Sequence, residues 1–166
     1  MEQYLIGFTD AEGCFSIALK KQKTARFGWV LDPVFHVTQH KNNKAILDVF
    51  KEMLQCGRVI QKSKQNDVML FIVDNRRELK EKILPFFEGR LIVKKKDFEI
   101  FSEVINGLEE GKHADIEEFK ELVKKVFHMN LEGKQRRYDI KYVLNNLRDP
   151  QRLYAKHESE DIVRPL

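Results

Sequence analysis

Leu5-Ile6-Gly7-Phe8-Thr9-Asp10-Ala11-Glu12-Gly13 is the stretch around which the rest of the chain is organised. Its order predicts a short helix stopped at Gly13, a residue suited to the left-handed position after a helix because it lacks a Cβ. Glu12 then stands at the C-terminal end of that helix. A carboxylate there faces the negative pole of the helix dipole at a cost of about 0.3–1 kcal/mol, where Lys or Arg would be favoured. An acid set against the local field, beside a forced turn, points to a cation supplied from outside, most simply a divalent metal. Gly7 and Ala11 are four apart and share one helix face. Small residues at that spacing let two helix backbones approach closely. Two copies packed there, with Leu5 and Phe8 alongside, would bring two Glu12 carboxylates together at the bottom of the contact. The same nine residues also read as an ordinary amphipathic first helix with a glycine stop.

The 166 residues suffice for one core-bearing domain and are short for two. With 42% hydrophobic and 34% charged residues, the chain reads as soluble and globular. No apolar run approaches the ~20 residues of a membrane span, so no membrane partner is expected. The start MEQYLIGFTDAEG has no basic region before its apolar residues, unlike a secretory signal. Cys14 and Cys56 give no disulfide framework and are expected reduced, in or near the core. The five histidines form no zinc pattern. Net charge is +4, but residues 14–67 hold ten Lys or Arg against four Asp or Glu. That excess falls where a sheet is expected, which suits a phosphate-rich partner.

Residues 14–23 alternate, with Phe15, Ile17 and Leu19 on one side and Ser16, Ala18, Lys20 and Gln22 on the other. This is a half-buried strand with a polar, basic open face. Residues 24–29 read as a hairpin loop, and 30–39 resume as a strand. There Val30, Val34, His36 and Thr38 share one face and Leu31, Phe35 and Val37 the other. Pro33 removes a ladder donor, which requires an edge or an interruption. A helix over 41–55 ends before Gly57. A second hairpin pairs 58–62 with 68–73 across Ser63–Asp67. Helices follow over Arg76–Phe87, ended around Pro85, over Leu91–Asn106, over Asp115–His128 and over Tyr138–Leu147, with Gly107 and Gly111 bounding a turn. The order implies an α+β domain with an antiparallel sheet and helices on one face. Residues 1–150 are expected to form that domain, with 115–148 as additional helices and 151–166 as a tail.

LIGFTDAEG resembles the defining motif of the LAGLIDADG homing endonucleases. Leu5, Gly7, Asp10, Ala11 and Gly13 match its consensus, and Glu12 replaces an Asp while keeping the carboxylate. The resemblance covers about residues 3–106. It implies the LAGLIDADG homing endonuclease fold, αββαββα, with a saddle-shaped sheet. Only one motif is present, so it implies a homodimer cutting a long, near-palindromic double-stranded DNA target. By the same resemblance, Glu12 and the Ala11 carbonyl would hold a catalytic Mg²⁺, or Mn²⁺ or Ca²⁺ in its place; these are hard oxygen ligands. Gln39 would order water and Lys94 would stabilise charge, with Lys96 the next choice for that role. Asp10 is expected to be structural. Asn43 stands where related single-motif proteins often carry a basic residue, which puts that role in doubt. DNA would lie on the open sheet face against Ser16, Lys20, Gln22, Arg26, His36, Gln61, Lys62 and Lys64, with Lys134, Arg136 and Arg137 as further phosphate contacts. Rival readings are an intron RNA maturase and a non-catalytic DNA-binding protein on the same fold. The expected location is intracellular, in a chloroplast or mitochondrion by family resemblance.

Overall fold

A computed structural model of the chain describes residues 1–63, 67–130 and 136–148. The opening helix α1 spans Glu2–Glu12 and leads directly into strand β1, Gly13–Lys21, and strand β2, Trp29–His40. A single 3-10 turn, Lys41–Asn43, precedes α2, Lys44–Leu54. The second hairpin is β3, Arg58–Gln61, and β4, Val68–Val73. All pairings are antiparallel, and the strand order is β1-β2-β4-β3. The period-two pattern explains the layering. Phe15 and Ile17 of β1, and Trp29, Leu31, Phe35 and Val37 of β2, are buried under the helices, and their neighbours remain part-exposed on the other face. Phe15 forms the centre of this core, with its ring 4.9 Å from Phe35, 5.5 Å from Phe87, 5.1 Å from Phe98 and 5.4 Å from Phe101. Each fully buried Phe contributes about 1.5–3 kcal/mol, with about 0.5–1.5 kcal/mol more per favourable ring pair.

Pro33 lies in an unbroken strand. It pairs with Ile17 of β1, while the ladder to β4 begins only at Phe35. At Pro33, β2 is therefore an edge on its second side, and the missing donor leaves no gap in the sheet.

Three helical expectations are corrected. Pro85 does not end its helix. The chain passes from α3, Arg76–Glu78, through a π-helical turn, Leu79–Ile83, into α4, Leu84–Phe87. A wide turn just before Pro85 accommodates its ring and its missing N–H. The long helix α5 spans Lys95–Glu109 rather than beginning at Leu91. Gly107 lies inside it and not in a turn: a Cβ there would meet Leu122 Cδ2 at 2.9 Å, so the glycine permits close packing on α6, Ile116–Phe127. The last described helix, α7, is shortened to Ile140–Asn145, capped by the Asp139 carboxylate, which accepts from Tyr142 N at 2.8 Å.

Gly13 is also corrected. Its φ of −78° and ψ of 155° are extended, not left-handed, because it is already the first residue of β1. The need for glycine is steric instead. A Cβ would lie 2.5 Å from Thr9 Cγ2 and 2.7 Å from the Thr9 carbonyl oxygen. Gly13→Ala is expected to destabilise the domain by about 1–3 kcal/mol through this overlap. Urea titration of both proteins would measure the loss, and an unchanged midpoint would show that the α1–β1 junction relaxes freely.

Candidate active site and nucleic-acid interface

Glu12 ends α1 and is exposed, as is Ala11. Among the described residues Glu12 has no ion pair or side-chain hydrogen bond. Asp10, two residues back, points differently. Its carboxylate accepts from Ile92 N at 2.9 Å and from Lys94 N at 3.0 Å. Asp10 is thus structural, tying the segment before α5 to the end of α1. That tie places Lys94 beside the α1–β1 junction, where its ammonium acts on the Cys14 thiol against the upward push of burial. Of the neighbouring lysines, Lys95 is committed to Glu99 at 3.9 Å, one helical turn on. Lys94 has no ion pair among the described residues.

Gln39 reaches the same end of the sheet by register. Gly13 pairs with Val37, so the residues just before Gly13 and just after Val37 meet at one edge. The Gln39 Oε1 accepts from His40 N at 3.1 Å and from Asn43 Nδ2 at 3.3 Å. Its amide N–H groups have no partner among the described residues. Asn43 therefore orients Gln39 rather than supplying a positive charge. Together, α1, the β2–α2 junction and the entry to α5 bring Glu12, Gln39 and Lys94 to one end of the molecule.

No cluster of three or more His, Cys, Asp or Glu suited to a metal occurs among the described residues. One chain offers an uncommitted carboxylate and an exposed helix-end carbonyl, both hard oxygen donors. That set fits a divalent cation completed by another copy, by water or by phosphate, and does not fit a closed protein cage.

The α1 surface is divided. Gly7 and Ala11 are exposed, and a Cβ on Gly7 would touch nothing within 4 Å. Tyr4 is 57% exposed beside them. Leu5 must be removed from the outward face, because it is fully buried in its own core. Its spacing of two from Gly7 turns it by roughly 200° around the helix. Phe8 is half-buried, with its ring 6.0 Å from both Tyr4 and Phe50.

The open sheet face is less basic than its sequence indicates. Ser16 lies there and donates to the Val34 carbonyl at 3.4 Å. Lys20 is paired with Asp32. Arg58 is held bidentately by Asp74 at 2.7 Å, which lowers the Asp74 carboxyl below its ordinary range. His36 sits mid-sheet between Cys14 and Ile72. Burial, then the Lys62 charge, lower its pKa below the ordinary imidazole value. Gln22 bonds Thr24 within the hairpin tip, and Arg26 stands in that tip 5.7 Å from the Phe27 ring. Gln61 is corrected: it pairs with Met69 and has the parity of Val59 and Phe71, so it points away from the open face, though at the strand's end it stays exposed. Arg136 is corrected too. Its guanidinium turns inward, donating to the carbonyls of Ile17 and Val126 at 2.8 Å each. Lys64 and Lys134 lie outside the described residues.

The missed contributors are Asp32 and Asp74, which neutralise two of the sheet's cations; Asn43, in doubt as a replacement for a basic residue, instead holds Gln39. The diagonal spacing of Asp32 from Lys20 across one hairpin is the signal that identifies the first pair.

A one-motif helix running into a β-ribbon, with an uncommitted acid at the junction, defines a protein class that comparison with known proteins identifies. A family model described as LAGLIDADG endonuclease matches residues 5–105. The chain belongs to that family. It is 34% identical over 120 residues to DNA endonuclease I-CeuI of Chlamydomonas moewusii, covering 69% of this chain and 55% of that protein. It is 36% identical over 118 residues to homing endonuclease I-ApeII of Aeropyrum pernix, covering 70% of each. The match thus spans about half of the first relative. Among solved structures, the archaeal intron-encoded homing endonuclease I-Vdi141I, complexed with DNA, superposes with a TM-score of 0.80 at 39% identity, covering 87% of this chain and 92% of the other. A homing endonuclease named I-TnaI gives 0.79 at 28% identity, covering 89% and 98%.

Proposed function

We propose that this protein is a site-specific homing endonuclease, a homodimer that makes a double-strand break in a long, near-palindromic duplex by metal-dependent phosphodiester hydrolysis. The observation that carries the reading is Glu12, exposed and unpaired at the end of a helix whose outward face carries Gly7 and Ala11. Residues 1–150 are taken as one endonuclease domain. The Glu12 carboxylate and Ala11 carbonyl would hold Mg²⁺, or Mn²⁺ or Ca²⁺ in its place. Such a cation, when bound, lowers the pKa of an attacking water and offsets charge on the phosphoryl oxygens. The chain's own groups supply the rest. The Gln39 amide orients water, Lys94 stabilises charge developing on the phosphate, and Asp10 holds Lys94 in place. Ser16, Lys20, Gln22, Arg26, His36 and Lys62 face the duplex or flank it at the rim of the sheet. Relatives described as intron-encoded support an intron origin. An archaeal relative shows that family membership alone does not assign an organelle. No helix among the described residues is long and apolar enough to cross a membrane.

The test is incubation with a randomised duplex library and Mg²⁺, followed by sequencing of the cut ends. Paired breaks within a two-fold symmetric consensus are expected. No cutting, together with tighter binding to structured intron RNA than to duplex, would support the maturase reading instead.

Binding should weaken steeply with salt as lysines displace condensed counterions. Lys62→Ala is expected to reduce the slope of log affinity against log salt by about 1, the value for one lost phosphate contact. An unchanged slope with altered base preference would make Lys62 a base reader, near the half-buried His36 whose pKa it lowers.

A further inference from the structure

The far end of the β1–β2 hairpin is gripped by the C-terminal part of the chain. Lys21, the last residue of β1, pairs with Trp29, the first of β2. By strand alternation both point to the helix side, away from the open face. The Lys21 ammonium stands 5.4 Å from the Trp29 ring, 5.1 Å from Tyr138 and 4.8 Å from Tyr142, and donates to the Tyr142 hydroxyl at 2.6 Å. Tyr138 and Tyr142 stack at 5.1 Å and 9°, and Trp29 meets both edge-on. The ammonium is thus held by the Tyr142 hydroxyl and lies within cation–π range of the Trp29 and Tyr138 rings, a mixed hydrogen-bond and cation–π enclosure. Backbone bonds fasten the tip as well. Trp29 Nε1 donates to the Asn146 carbonyl at 3.3 Å, Arg148 N to the Phe27 carbonyl at 3.0 Å, and Arg148 Nη1 to the Lys23 carbonyl at 2.7 Å. The tip is closed internally by Gln22 N to the Gly28 carbonyl at 3.0 Å.

We propose that this clasp, formed by Lys21 with Trp29, Tyr138 and Tyr142, is a positioning device. It holds the hairpin tip, residues 22–28, in the pose in which it reads DNA, and so sets base preference at the outer end of each half-site. Lys21 is a basic residue of the hairpin that points away from the open sheet face. Its charge is used internally, which explains why a lysine occurs on the core side of the strand. The proposal rests on the endonuclease reading above. The position follows from strand geometry. From Gly13 to Lys21, β1 advances eight residues, about 27 Å at ~3.4 Å each. That is about eight base-pair steps from the catalytic end at ~3.4 Å per step. A loosened tip therefore blurs preference there and leaves the central base pairs and the cutting chemistry alone. A merely structural contact would lower all positions together, by lowering the fraction of folded protein.

The experiment compares the full chain with Lys21→Met, Lys21→Arg and Tyr142→Phe. Amide hydrogen exchange of residues 22–28 is followed without DNA. Base preference is then read position by position from a randomised duplex pool, and the cutting rate is taken at saturating protein on the preferred duplex. For Lys21→Met we expect about fivefold faster exchange confined to the tip, the fold-change that corresponds to losing one cation–π enclosure of moderate strength. Preference should flatten about eight base pairs from the centre, with the saturated cutting rate unchanged. Lys21→Arg should restore both readouts, and Tyr142→Phe should give a smaller effect in the same places. Unchanged tip exchange, flattening spread over the whole site, or no recovery with Arg overturns the proposal. If Lys21→Met proves unfolded in a thermal scan, Tyr142→Phe, which deletes only the hydroxyl, decides by the same criteria. Failure of the parent protein to select or cut any duplex overturns the endonuclease reading, and the clasp's role in DNA reading with it. Failure of the clasp alone leaves the parent cutting as before.

Discussion

Glu12→Gln is expected to lower DNA cleavage by about 100-fold or more, beyond the ~10–100-fold typical of losing a group that only supports a ligand because Glu12 would be a direct ligand, while leaving the protein folded. The amide keeps the shape of the side chain and removes the charge, and it is a poor ligand for Mg²⁺. Two further consequences separate this from simple damage. Glu12 is exposed and lies at the unfavourable pole of α1, so removing its charge relieves about 0.3–1 kcal/mol per subunit. Thermal stability should therefore be retained or slightly raised. In a dimer, two carboxylates would approach each other and the phosphates of the bound duplex. Affinity for DNA in the presence of a chelator should then persist or tighten in the variant. Cleavage rate, chelated affinity and thermal unfolding on both proteins are the three measurements. Near-parental cutting would remove Glu12 from the metal site. Lost cutting accompanied by a lowered unfolding temperature would make it a structural residue.

Gly7→Leu should convert the active dimer into a stable, inactive monomer. Within one subunit the change is benign, because a Cβ at Gly7 meets nothing within 4 Å. Replacing a helical glycine by leucine should even add roughly 0.5–1 kcal/mol of helix propensity. The damage arises only between copies. If two α1 helices approach on the Gly7 and Ala11 face, the two-fold axis puts two leucines, one from each subunit, into the contact. Overpacking of about 1–3 kcal/mol at each occurrence then weakens the dimer by roughly 30-fold to 20,000-fold. Sedimentation at micromolar protein should show a monomer, and the two-fold symmetric break should vanish with it. Exposed Tyr4 lies on the same surface, so an additional Tyr4→Ala would extend the test along α1. A Leu variant that stays dimeric and active would place the contact elsewhere on the molecule.

The two predictions probe the middle and the C-terminal end of α1, and the structure explains why one helix can serve both. Its buried side is small, with Leu5 and Thr9 as the fully covered residues. That leaves most of the circumference outside the subunit's own core. A helix this apolar and this little covered is consistent with burial against a second copy.

Much of the architecture was legible in the residue order. Alternation over residues 14–23 and 30–39 assigned the first hairpin and its faces, because a strand's side chains change sides at every step. The junction of Glu12 with Gly13 located the end of α1 to the residue, and the motif located the family. The nature of local constraints was not legible. Gly13 follows a helix, but its glycine is required by contact with Thr9, a distance that exists only once α1 and β1 have folded against each other. Pro85 predicts a helix end, yet a π turn before it lets the chain continue, since packing of Leu79, Ile83 and Phe87 into the core outweighs one lost hydrogen bond. Charge was the least legible of all. Counting lysines and arginines made the whole sheet basic, whereas Asp32, Asp74, three aromatic rings and two backbone carbonyls engage Lys20, Arg58, Lys21 and Arg136. A sequence determines which charges a chain carries. Only the tertiary structure decides which of them are satisfied internally and which are left for a partner, because electrostatic pairing depends on distances between residues far apart in the chain.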